Sequence, residues 1–90
     1  MLLTPEDIKI EFKKLGKKRA LGLAYKEENR IELDSSLKGK DFINVMIHEV
    51  THIMFPYLIE DVVDNYANTL AEILYKHGVN KNEESSNKIA

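Results

Sequence analysis

Cysteine is absent from the 90 residues. That excludes a disulfide framework and a thiolate metal site, and leaves histidine, carboxylate and water as metal ligands. Long apolar runs are lacking too, so no membrane association is expected. The N-terminal "MLLTPEDIK" has neither a basic segment nor the apolar stretch of a secretory signal, and a cytoplasmic protein is expected. An excess of one charge is also missing. With 13 basic and 15 acidic residues the net charge is -2, which argues against a nucleic-acid partner. Lys13, Lys14, Lys17, Lys18 and Arg19 make a local basic run, read as a solvated loop between two strands.

What remains is an ordinary globular composition, 43% hydrophobic, in a chain long enough for one small domain with a thin core. A bound metal or a homodimer would supplement such a core. The domain is expected over residues 1–79, with the polar stretch 80–90 as a disordered tail. In "DIKIEFKKL", Ile8, Ile10 and Phe12 alternate with Lys9, Glu11 and Lys13, as in a half-buried strand. A helix competes there, because Thr4 and Pro5 resemble an N-cap and first turn. Leu21, Leu23 and Tyr25 then share one face, and Ile31 and Leu33 form a second run. Lys26 to Asn29 make a polar turn between them, which gives a β-hairpin.

Asp41 is placed to cap a helix over 42–55, stopped by Pro56. A second helix over 59–77 ends at Gly78. The order of strands, helix, turn and helix defines an α+β fold, a small antiparallel sheet packed on the first helix. On a wheel of about 100° per residue, Phe42, Ile43, Met46, Ile47, Val50, Ile53 and Met54 fill one arc that faces the sheet. His48 and His52 fall together on the other side, with Glu49 toward its edge. Histidines four apart on a helix can reach one ion, while the glutamate beside them stays off the ligand axis and near its water. A surface helix with two solvent-facing histidines is the plain alternative.

Catalytic zinc takes a third protein ligand. In the second helix Val62, Val63, Tyr66, Leu70, Ile73 and Leu74 make the apolar arc, and Asp61 points to water. Glu60 and Asp64 lie at the margin of that arc, in a stripe continued by Ala67 and Ala71. The Pro56 turn folds this end back toward His52, which makes Glu60 the candidate third ligand and Asp64 a carboxylate that orients a ligand histidine. Acids at a helix start are also favoured by the dipole alone.

"HEVTH" followed by "EDVVD" resembles the H-E-x-x-H and E-x-x-x-D pair of gluzincin metallopeptidases. The order of hairpin, histidine helix and glutamate helix is similar to minimal gluzincin-like domains of short prokaryotic and phage-type proteins. The likeness covers about residues 8 to 78, and its specific part is the two motifs. It implies a zincin-like fold, zinc on His48, His52 and Glu60, Glu49 as general base, and Asp64 in support. It also implies a peptide or protein substrate, held against the strand around Leu21 to Tyr25. Seven residues separate His52 from Glu60, where larger gluzincins insert longer connections, so the Pro56 turn must do the positioning. Tyr57, Tyr66 and His77 are the available oxyanion donors. The alternatives are a zincin fold that binds zinc with little hydrolysis, and a helical interaction module without metal.

Overall fold

The computed structural model describes residues 2–16 and 20–78. Most of the basic run (Lys17, Lys18, Arg19) and the 80–90 tail lie outside the described residues. The fold is α+β: strands β1 (Lys9–Lys13), β2 (Gly22–Tyr25) and β3 (Arg30–Asp34), then helices α1 (Gly39–Met54) and α2 (Glu60–His77). The helical reading of the N-terminus survives only as one 3-10 turn, Pro5–Asp7, where the Thr4 N–H donates to the Asp7 carboxylate at 2.8 Å.

β2 and β3 form the expected hairpin, with Ala24 opposite Ile31 and Tyr25 opposite Arg30. Asn29 closes its turn in the left-handed region at φ 49°, which asparagine tolerates. The sheet is mixed rather than wholly antiparallel. β3 lies in the middle, and β1 pairs with it in parallel, Ile10 beside Ile31 and Phe12 beside Leu33. Asp34 locks the end of β3, accepting from the Leu15 N–H at 2.7 Å and the Ser36 N–H at 3.0 Å. These bonds hold its carboxyl below the usual carboxylate range, with the Ser36 side chain contributing most.

The strand faces are not equally covered. Leu23 and Tyr25 point away from α1, while Gly22 and Ala24 face it. The helix approaches β2 so closely that only small residues fit beneath it. On the outer face Glu32 is 3% exposed, held by Arg30 at 2.6 Å, Lys13 at 3.0 Å and the Tyr25 hydroxyl at 3.2 Å. The Arg30 guanidinium also lies 4.1 Å over the Tyr25 ring. On β1, Ile10 and Phe12 remain largely exposed, because α1 covers β2 and β3 rather than this edge. Phe12 stacks on the Phe42 ring, with centroids 6.2 Å apart.

α1 begins at Gly39, so Asp41 sits in its first turn instead of capping it. Ile31, Leu33 and Ile53 form the sheet-side core, joined by Phe42, Val45, Met46 and Val50. α2 packs on the other side of α1 through Val63, Ala67 and Ala71, all 1% exposed or less. The apolar arc of α2 is therefore split. Val63 is buried, but Val62, Tyr66 and Ile73 are about half exposed. None of the helices among the described residues is long and apolar enough to cross a membrane.

Candidate metal centre

The histidines sit on the flank of α1 that faces the start of α2. Thr51, between them, donates its hydroxyl to the Ile47 carbonyl at 2.6 Å, and helix α1 closes with the Phe55 N–H on the Thr51 carbonyl at 2.8 Å. Pro56 follows. Leu58 donates to Phe55, and the Val62 and Val63 N–H groups both return to the Ile59 carbonyl. This turn places the first residue of α2, Glu60, directly over the two rings.

Both oxygens of Glu60 are engaged. Oε2 lies 3.0 Å from His48 Nε2, and Oε1 lies 3.0 Å from His52 Nε2. The imidazoles meet edge to face with centroids 4.8 Å apart. Three donor atoms, one from each residue, lie within 4.8 Å of one another. In a tetrahedral zinc site with bonds of about 2.0–2.1 Å, neighbouring ligand atoms are separated by about 3.3 Å. The donor set fits zinc in chemistry, and the widest of its separations, up to 4.8 Å, would close by side-chain adjustment onto an ion. A protonated histidine pair bridged by a glutamate is the competing use of the same geometry.

Asp64, one turn further along α2, has Oδ1 3.3 Å from His48 Nδ1, the nitrogen opposite the one that faces Glu60. A carboxylate there fixes the ring's orientation and the tautomer with Nε2 free to ligate. Asp61 is exposed and stands away from the cluster, as the wheel requires. Burial, the largest influence, pushes the His52 imidazole below its ordinary value, which favours the neutral form that a metal needs.

Glu49 does not join the cluster. It is 9% exposed, turned toward β2, where Gly22 makes room for it. A β-carbon on Gly22 would come within 2.9 Å of Glu49 Cγ, 3.1 Å of its Oε2 and 2.7 Å of a Val45 methyl. Desolvation is the main cause holding the Glu49 carboxyl above the usual range, and the charge of Glu60 adds to it. Such a group can take up and release a proton nearer neutrality than an exposed glutamate.

A cleft of about 350 Å³ opens beside these residues, with His48, Glu49 and Asp64 on one wall and Ala20, Leu21 and Gly22 on another. Its remaining wall includes Asn44 and Asn68, whose side-chain amides are hydrogen-bonded to each other. Strand β2 forms one edge of the sheet and runs past this cleft. Gly22, Asn44 and Asn68 had no distinguishing signal in the sequence, since their roles arise from contacts between elements. Lys26 is a further such residue. Its ammonium lies 3.4 Å from the Pro56 carbonyl, and its charge acts on His52. Of the oxyanion candidates, Tyr66 lies on the opposite flank of α2, among Val62, Leu70 and Ile73. His77 ends α2, far from Glu60 at its start. Tyr57 is 77% exposed in the interhelical turn, its ring against Phe55.

Compared with protein-family models, curated proteins and solved structures, the chain matches none.

Proposed function

We propose that the protein is a zinc-dependent peptidase that hydrolyses peptide bonds in extended substrates. The observation that carries this reading is the convergence of His48, His52 and Glu60 with a separate, buried Glu49 one side chain away. A purely structural metal site has no use for a carboxylate held out of the ligand cluster in a desolvated niche. His48 and His52 would hold the ion through Nε2 and Glu60 through its carboxylate, with Asp64 orienting His48. When bound, zinc supplies an electrophile for the scissile carbonyl and acidifies a water to a pKa of about 7.

The remaining work belongs to the chain. Glu49 accepts the water's proton at its carboxylate and returns it to the departing amide nitrogen. Its desolvated niche raises its proton affinity, which favours uptake of the water's proton. Among the described residues the outer edge of β2 is unpaired and can take an extended peptide, which lays the scissile bond along the cleft that Gly22, His48 and Glu49 line. Lys26 brings positive charge to the His52 end of that path.

The test is hydrolysis of an unstructured protein substrate by the purified chain, with and without zinc and with Glu49→Gln. Zinc-dependent cleavage that Glu49→Gln abolishes while retaining the metal supports the proposal. Zinc binding with no cleavage would leave a zinc-binding zincin-like domain in its place.

A further inference from the structure

One flank of the seam between α1 and α2 is a polar ladder that steps four residues at a time on each helix. Lys40 meets Glu72, with Nζ 2.9 Å from Oε1. Asn44 donates its side-chain amide to the carboxamide oxygen of Asn68. His48 then has Asp64 at 3.3 Å, and His52 has Glu60 at 3.0 Å. Residues four apart lie above one another on a helix, so each step along the antiparallel pair brings the next two side chains together. The last two rungs are the metal centre. The first two lie outside it, and the proposed chemistry uses neither.

We propose that Asn44 and Asn68 are a positioning pair for the metal centre: their mutual hydrogen bond fixes how far α2 lies along α1, and so holds Glu60 over both imidazoles. The inference rests on the metal reading of the histidine cluster. Glu60 is the first residue of α2 and its side chain is 63% exposed, so its place is set by where the helix itself lies. Ligand groups must sit within about 0.5 Å of the productive geometry. The buried part of the seam guides α2 weakly at that precision, because after Val63 it consists of Ala67 and Ala71, whose methyls make shallow ridges. The Pro56 turn fixes one point of α2. Asn68 supplies a second, about 12 Å along the helix from Glu60 at 1.5 Å per residue. The Lys40–Glu72 rung suits this task less well, since its long side chains, each about half exposed, stay paired over a range of offsets. Two short planar amides bond over a narrow range. An asparagine inside a helix interface sets register in the same way in coiled coils.

The test uses Asn44→Ala, Asn68→Ala and the double variant of the full chain, with zinc for affinity and cobalt(II) for its absorption spectrum. Each single variant should weaken zinc about three- to tenfold, the weight of one net hydrogen bond. The double variant should be no weaker than either single, since the same bond is lost in all three. The cobalt spectrum should move toward that of Glu60→Ala, the sign that the carboxylate has left its place. Added carboxylates separate positioning from charge. Asn44→Asp keeps an acceptor for the Asn68 amide N–H and should bind zinc at least as well as wild type. Asn44→Asp with Asn68→Asp sets two acceptors face to face and should bind more weakly than Asn44→Asp, although negative charge alone would tighten a cation. Wild-type affinity and spectrum in Asn68→Ala, or a double acid that binds zinc more tightly than Asn44→Asp, would overturn the inference. A wild-type chain that takes up neither metal would instead defeat the metal reading. The hold of the pair on α2 is then decided in the metal-free protein by nuclear Overhauser contacts of the Ala67 and Ala71 methyls with α1. A second set of contacts in Asn68→Ala supports it, and an unchanged set overturns it.

Discussion

Four acidic side chains within a few ångströms or one helical turn of each other are given different tasks by position alone. Glu60 and Asp61 are neighbours in sequence, but a rotation of about 100° sends one over the histidines and the other into water. Glu60→Ala should therefore lose most zinc affinity and Asp61→Ala should match wild type in a competition titration. Asp64→Asn should fall between them, since groups that orient a ligand typically contribute ~10–100-fold. Loss of zinc in Asp61→Ala with retention in Glu60→Ala would mean that α2 is rotated from this placement.

Glu49 carries a second, metal-independent consequence. Its folded-state pKa is raised, so in the apo protein its burial is tolerated best when protonated, and stability is lost as pH rises through the folded value. Glu49→Gln should accordingly raise the melting temperature of the apo protein at neutral pH. The gain should shrink as the pH falls into the ordinary carboxylate range. Gly22→Ala tests the same niche from the strand side. A methyl 2.9 Å from Glu49 Cγ forces the carboxylate to move, so hydrolysis should drop while zinc binding, made by other residues, persists.

At the scale of elements, what could be read from the sequence is what lies within one period of one helix. His48, Glu49 and His52 are separated by fixed angles, and Glu60, Asp61 and Asp64 likewise, so their faces were set before any packing was known. The turn at Pro56 was legible for the same local reason. The rest depends on how elements meet. The parallel pairing of β1 with β3 has no periodic signature. Leu23 and Tyr25 share a face, as their spacing sets, but that it is the outer one follows only from packing, where Tyr25 serves Glu32 and Arg30. Gly22 and Ala24, which seem featureless, are what lets α1 approach.

The site also ties elements together. Zinc on His48, His52 and Glu60 would cross-link α1 to α2 around the Pro56 turn, so chelation should lower the melting temperature, through a ligand that binds only the folded state. An unchanged melting curve after verified zinc removal would contradict that linkage. At the other end of the sheet, Asp34 stabilises the fold only while ionised. Its folded pKa is lowered, so its contribution is present above the ordinary aspartate range and disappears as pH falls through the folded value. Asp34→Asn should remove that acid-side loss in a pH series of melting curves.

The whole molecule is three layers, sheet, α1 and α2, with the histidine helix in the middle. This explains why α1 is half-buried almost all round and why His48 and His52 are covered: their side chains are 16% and 17% exposed. Among the described residues nothing packs on the outer face of α2, where Val62, Tyr66 and Ile73 are about half exposed. If two faces of two helices build one metal site, zinc stoichiometry on protein purified without added metal will register it. About one zinc per chain is expected in the wild type, as a site with three protein ligands requires. His48→Ala with His52→Ala should carry none. A wild-type chain without zinc, or full occupancy in the double variant, would contradict the account.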